Sequence, residues 1–283
     1  MKKILVAIDF SDCSLNALEH AITIANKADA GIELMYVIRP DSSKEIFTEG
    51  AKTVSSMAKE KFDGLIEKYQ PLLGNNKLTY LVKEGKVYHE IVKEAEGKEV
   101  FLVMAGTHGA SGFEEFWIGS NANRIISASP CPVITIRAGI DVKRPLNKIL
   151  LPIDSTVETR QKTNFTGYLA KAHNAEIYIL SLYSSRVKEI RKNVDLYAKQ
   201  VALHFEEEGI TYHMEQAEAD NISDKMIEFA NKIDANLISI MTEQETTTSN
   251  LWMGPYAHQT VNHSPVPVLS IHSKDLLASG AGF

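Results

Sequence analysis

Cysteine is almost missing from this 283-residue sequence, which holds only Cys13 and Cys131. Two thiols so far apart cannot make a disulfide framework, and neither stands in a metal-ligand spacing. The nine histidines form no HxxxH pair and there is no CxxC, so spacing gives a metal site no support. Long hydrophobic runs are missing too. No stretch approaches the roughly 18 apolar residues of a membrane span. The first apolar run ends after Ile8, too short for the core of a secretory leader, and no small-residue cleavage site follows. Basic excess is absent, since the formal charge is −6. An acidic chain is not drawn to nucleic acid or to a membrane surface, so neither is expected as a partner. What is present is a 44% hydrophobic and 23% charged composition, enough for a buried core. The length suits two ordinary domains or one large one. An intracellular, cytoplasmic location is the expectation.

The chain repeats itself, and the repeat selects two domains. Lys3-Ile4-Leu5-Val6-Ala7-Ile8-Asp9 recurs as Lys148-Ile149-Leu150-Leu151-Pro152-Ile153-Asp154, a shift of 145 that also carries Ala25 onto Ala170 and Ile32 onto Ile177. Further on the shift is 135. Trp117-Ile118-Gly119 then matches Trp252-Met253-Gly254, and Ser129-Pro130-Cys131-Pro132-Val133 matches Ser264-Pro265-Val266-Pro267-Val268. The second copy has therefore lost about ten residues between its second and fourth strands. Apolar runs of strand length fall at Ile4–Ile8, Ile32–Ile38, Leu78–Val82, Val100–Ala105 and Val133–Arg137. In the second copy they fall at Ile149–Ile153, Ile177–Leu182, Thr211–Glu215, Leu237–Met241 and Val268–Ile271. Helical patterns separate those of the first copy at about Ser14–Lys27, Glu49–Tyr69, Tyr88–Glu96 and Ser120–Ala128. Near-continuous Val/Ile/Leu runs suit strands covered on both faces, and strand–helix alternation demands crossover connections. The fold class is therefore α/β, as two tandem doubly wound parallel-sheet domains of five strands each. Their expected bounds are 1–138 and 147–273, with a linker at 139–146 and a Gly/Ser/Ala-rich, flexible tail at 274–283.

In open α/β sheets ligands bind beyond the carboxyl ends of the strands. After strand four the first copy reads Gly106-Thr107-His108-Gly109, then nine residues, then Gly119-Ser120-Asn121 at the start of a helix. Glycines admit a ligand close to the backbone, and a helix start offers unpaired N–H groups and a positive dipole end. Ser120 adds a hydroxyl donor. The spacing fits an anion cradle, and it also fits a turn followed by a helix cap. His108 has an acid–base reading and a turn-residue reading, and no nucleophile or carboxylate partner is evident for the first. Cys13 and Cys131 read as small packing residues, and Trp117 and Trp252 as packing or interface anchors.

The spacing Gly-x2-Gly-x9-Gly-Ser, after a strand and before a helix, resembles the ATP-binding signature of universal stress proteins. So do Val6-Ala7-Ile8-Asp9-Phe10-Ser11 at the end of strand one and Pro130-Cys131-Pro132-Val133 leading into strand five. The resemblance spans nearly the whole chain as a tandem pair. It implies an adenine-nucleotide α-hydrolase-like fold with strand order 3-2-1-4-5. It also implies two domains joined as an intramolecular pseudo-dimer through their fifth strands, Pro132–Arg137 and Pro267–His272, with a homodimer of chains open. On this resemblance Asp9 lies near the adenosine, and the backbone of Val37 meets adenine. Gly106 and Gly109 wrap the ribose and phosphates, while Gly119, Ser120 and Asn121 hold the phosphates. Ala122 stands where some members have a hydroxyl. The 110–118 insert carries Glu114 and Glu115 and no basic residue, leaving Arg124 or a metal such as Mg²⁺ to balance a triphosphate. Asp9 has a second reading, as a helix N-terminal carboxylate satisfied by local amides.

The second copy differs. A shift of 135 sets Met241 in place of Gly106, Gln244 in place of Gly109, Pro255 in place of Ser120 and Tyr256 in place of Asn121. Side chains and a missing N–H spoil the cradle, and Glu243 and Glu245 add negative charge; Gly254 and Asp154 survive. The expectation is a stress-response regulatory protein that binds ATP or another adenine nucleotide in its first domain, with little or no hydrolysis. Two other readings stand beside it. One is a non-nucleotide dimerisation or partner-binding scaffold. The other is an enzyme cleaving ATP between the α- and β-phosphates, against which counts the lack of glycine in Asp9-Phe10-Ser11-Asp12-Cys13-Ser14. No Walker lysine and no general base near the glycines speak for catalysis.

Overall fold

The computed structural model describes residues 2–39, 48–108, 118–141, 144–242 and 253–272. The chain divides into two compact units between Val142 and Lys143. The 274–283 tail lies outside the described residues.

In the first unit β1 (Lys3–Ala7), β2 (Gly31–Ile38), β3 (Leu78–Glu84), β4 (Val100–Gly106) and β5 (Val133–Ile136) form a sheet in the order β3-β2-β1-β4-β5. Every pairing is parallel, with Ala7 opposite Met35 on one side and Ala105 on the other. The central strand is apolar after Lys3, and Ile4, Leu5 and Val6 are fully buried. The linking helices are α1 (Asp12–Ala28), α2 (Thr48–Tyr69), α3 (Val87–Ala95) and α4 (Ser120–Ala128). Right-handed crossovers put α1 and α2 on one face and α3 and α4 on the other, because the chain reverses its direction across the sheet after β3. Helix α1 begins at Asp12, two residues before the apolar pattern, because the Ser11 side chain caps it by accepting from the N–H of Ser14.

The second unit repeats the plan. It has β6 (Lys148–Ile153), α5 (Thr163–His173), β7 (Glu176–Tyr183), α6 (Lys188–Glu207), β8 (Tyr212–Glu218), α7 (Ile222–Ile233), β9 (Leu237–Thr242), α8 (Pro255–His263) and β10 (Val268–His272). Its strands lie in the order β10-β9-β6-β7-β8, again parallel, the same 3-2-1-4-5 arrangement. The duplication reaches the helix ends. Asp29 after α1 and Asn174 after α5 both adopt left-handed φ, 50° and 52°, and their N–H groups close on Ala25 and Ala170. Asp and Asn bear that conformation at lower cost than other residues with a Cβ. The missing residues fall between the second and third strands, where 184–211 replaces 39–77.

One difference is large. Helix α1 is continuous, whereas its counterpart begins as a short 3-10 turn, Val157–Arg160, and becomes helical only at Thr163. The first unit has a compensating feature of its own. Phe10 holds a left-handed φ of 64°, a strained state for an aromatic residue. It is fixed by rings, with Tyr36 at 5.3 Å and Phe62 at 5.1 Å, and Phe62 stacks on Tyr80 at 4.7 Å. Phe62 is fully buried. Phe62→Ala is expected to cost about 3–5 kcal/mol, measured by urea unfolding followed by circular dichroism.

Candidate functional site

The carboxyl end of the first sheet gathers three separate pieces of chain. β4 runs out at Gly106, and a Cβ added there would lie 2.7 Å from Cys13 Cβ and 2.9 Å from the Cys13 carbonyl carbon. Real Cβ atoms do not approach so closely, so glycine here lets the first turn of α1 rest against the strand. The chain then turns at Thr107. Its N–H donates to the Ile136 carbonyl (2.9 Å), and its carbonyl accepts from the N–H of Gly119 (2.8 Å). That second bond draws the start of α4 back onto the end of β4. The two glycine clusters, thirteen positions apart between Gly106 and Gly119, therefore meet.

Gly119 is the N-cap of α4 and has no side chain to offer its first turn. Ser120 is exposed, Asn121 half-buried and Ala122 buried against the core. An uncapped first turn leaves N–H groups and a positive dipole end facing outward. Val37 is placed by register. Ile8 donates its N–H to the Met35 carbonyl, so Met35 faces β1, and Val37, two residues on, faces the same side. β1 ends at Ala7, so the Val37 backbone projects beyond it. Gly109, Glu114, Glu115 and Trp117 lie outside the described residues.

Asp9 is engaged locally. Its Oδ1 accepts from the N–H of Ser11 (3.0 Å) and from the Ser11 hydroxyl (2.5 Å), while its own N–H reaches Ser14 Oγ (3.4 Å). In the second unit Asp154 Oδ1 accepts from the N–H and hydroxyl of Thr156, at 2.8 and 2.6 Å, and its N–H reaches Thr159 Oγ1 at 3.2 Å. The same turn persists where the glycines are gone, so it serves the strand-to-helix connection whatever else Asp9 touches. Satisfaction of Asp9 by local amides was one of the two readings the sequence offered, and Ser11 supplies that amide. The recurrence of Asp-x-Ser as Asp-x-Thr at a shift of 145, the conformation of Phe10 and the bonding of Thr107 were not read from it.

Cys13 is buried, and burial pushes its thiol above the ordinary cysteine range despite a hydrogen bond from the His108 backbone. It is a packing partner for Gly106 and not an activated nucleophile. His108 Nδ1 lies 2.8 Å from the Thr107 hydroxyl. Arg124 lies over the Tyr88 ring at 5.0 Å, directed to α3. Among the described residues no group of three His, Cys, Asp or Glu side chains could hold a metal ion.

In the second unit Met241 replaces Gly106 and is buried. The segment corresponding to the first turn of α1 is there a 3-10 turn, Val157–Arg160. Pro255 opens α8 behind Gly254. The Tyr256 carbonyl accepts from Ser223 Oγ and Thr260 Oγ1, both at 2.7 Å, tying α8 to α7. Gln244, Glu243, Glu245 and Trp252 lie outside the described residues. A further residue escaped the sequence reading. Lys162, aligned with the buried Ala17, is 2% exposed, and its Nζ donates to Thr159 Oγ1 at 3.1 Å. Burial lowers its pKa to about 8, partly countered by the Asp154 charge.

The family model of the universal stress protein family matches residues 1–137 and again 145–272. Similar single-domain relatives include Universal stress protein MJ0531 of Methanocaldococcus jannaschii, 34% identical over 139 residues. That alignment covers 48% of this chain and 82% of the relative. Universal stress protein YxiE of Bacillus subtilis is 29% identical, with 48% and 98% covered. Among solved structures, a universal stress protein from Archaeoglobus fulgidus matches across both units with a TM-score of 0.78. It is 20% identical, with 95% of this chain and 96% of that chain covered. The parallel sheets in 3-2-1-4-5 order define a tandem α/β protein. The chain belongs to the universal stress protein family. No helix among the described residues is long and apolar enough to cross a membrane.

Two outcomes follow. Gly106→Ala should destabilise the first unit by about 1–3 kcal/mol, since its Cβ meets backbone that cannot swing away. Gly119→Ala, whose Cβ would meet only the Thr107 carbonyl at 3.3 Å, should cost under about 1 kcal/mol. Thermal unfolding of the two variants checks the contrast. Lys162 gives a pH signature. Its folded pKa lies below the unfolded value near 10.4, so between pH 8 and 10 the unfolded chain binds more protons and this group's contribution to stability rises with pH. Lys162→Met should therefore stabilise the protein near pH 7 by about 2 kcal/mol, once the lost Thr159 hydrogen bond is discounted. The advantage should shrink as pH climbs from 8 to 10, read from urea midpoints of both proteins at each pH.

Proposed function

We propose that the first unit binds an adenine nucleotide, ATP foremost, and that the protein acts as a stress-response regulator by binding and not by turnover. The observation that carries this reading is the Gly119-to-Thr107 hydrogen bond, which brings a glycine strand end and an uncapped helix start to one place. On this reading the α4 N–H groups and the Ser120 hydroxyl receive phosphate oxygens, Asn121 adds a polar contact, and Gly109 completes the loop. The outward Val37 backbone suits recognition of a flat heterocycle through its N–H and C=O edges. Asp9, with one carboxylate oxygen spent on Ser11, faces the adenosine from the end of β1. Mg²⁺ enters only as a companion of the nucleotide. Little or no hydrolysis is expected, because the sequence holds no Walker lysine and the His108 imidazole beside the glycines is engaged with the Thr107 hydroxyl.

The second unit is silent toward the same ligand on this reading. Met241 fills the glycine position, Pro255 withdraws a donor from the helix start, and the buried Lys162 side chain is bonded to Thr159. A scaffold without nucleotide is the second reading, favoured by Arg124, which lies over Tyr88 and leaves the phosphate charge to neutral donors.

Titration of labelled ATP into nucleotide-stripped protein should saturate near one site per chain. Two sites would reject the silence of the second unit, and none would favour the scaffold. Gly109→Glu should weaken binding by at least about a hundredfold through charge repulsion and steric block, 2.7 kcal/mol or more. Its circular dichroism spectrum should stay that of the parent.

A further inference from the structure

The second unit carries a surface groove. It lies between the start of α5, the 3-10 turn before it, and the later half of α6, with a volume of about 370 Å³. Its polar walls include Arg160, Gln161, Thr163, Asn164, Gln200 and His204, and no acidic residue lines it. Met241, Gly254 and Pro255, at the strand end where the first unit has its glycines, are not part of it.

The gap-free shift of 145 identifies what stood here in the other copy. Arg160 corresponds to Leu15 and Thr163 to Leu18, which is fully buried. Two apolar positions of α1 are thus a cation and a hydroxyl here. Thr163 is 5% exposed, yet its Oγ1 has no hydrogen-bond partner, and Gln161 Oε1 is buried without one as well. Each buried polar atom left so costs about 1–3 kcal/mol. The Arg160 guanidinium meets only neutral groups among the described residues. Its Nε donates to the Val157 carbonyl, Nη1 donates to Gln200 Oε1, and the Tyr197 ring lies 4.4 Å away. Helix α5 begins at this wall with no side-chain cap, adding the positive end of its dipole.

We propose that this groove is a binding site for a small anion bearing a carboxylate or phosphate group, distinct from the nucleotide site of the first unit. Arg160 supplies the charge and a fork of donors suited to paired oxygens. The Thr163 hydroxyl and the first turn of α5 supply fixed donors, and the amides of Gln161, Asn164 and Gln200 hold the polar body of the ligand. This site does not depend on the nucleotide reading, since it shares no residue with the first unit.

The test is a titration of the full-length, ¹⁵N-labelled chain with inorganic phosphate and, separately, with acetate, following the backbone amides of Arg160–Asn164. Phosphate drawn to the first unit does not disturb that readout. Saturable shifts at these amides are expected, and Arg160→Gln and the isosteric Thr163→Val should each weaken them by about tenfold or more. Saturation by both anions assigns the site to the shared oxygen group, by phosphate alone to phosphoryl ligands, and by acetate alone to carboxylates. No saturable shift with either anion up to tens of millimolar, or shifts undiminished in both variants, overturns the proposal.

Discussion

The contact between Gly106 and Cys13 sets the shape of the first unit's strand end. A strand that finishes without a side chain lets the first turn of α1 lie directly on it, with atoms closer than any Cβ would permit. Beside that approach the Asp9–Ser11 turn leads into the helix, aromatic rings hold Phe10 in a left-handed conformation, and the Thr107 carbonyl receives Gly119. A helix start is thereby fixed beside a glycine turn, which is the arrangement an anionic ligand requires.

The second unit tests this account within the same molecule. It has the same sheet, the same Asp turn and the same left-handed helix end, and Met241 in place of the glycine. What changes is local to the contact. The first helical turn gives way to a 3-10 turn, and Lys162 and Thr163 open the helix where α1 has Ala17 and Leu18. Polar groups then occupy positions that were packed and apolar. A lysine whose pKa falls to about 8 is an energetic burden, and so is a buried hydroxyl without a partner. The second unit thus carries costly polar groups where the first is packed and apolar.

The sequence by itself determined the duplication and the ten strands, because near-continuous apolar runs in alternation with helices demand crossover connections and a parallel sheet. The strand order came only with the resemblance of its motifs to the universal stress proteins. The sequence also marked the glycines of one copy and their loss in the other, since the chemistry of glycine and proline is local. Only the tertiary structure decided why Gly106 is glycine, which is a contact with a residue 93 positions earlier. It alone assigned Asp9 a bonded turn partner, buried Lys162, directed Arg124 toward Tyr88 and left Thr163 unpaired. Periodicity records which face a residue occupies. What a side chain meets on that face depends on distances between segments far apart in the chain, and those exist only after packing.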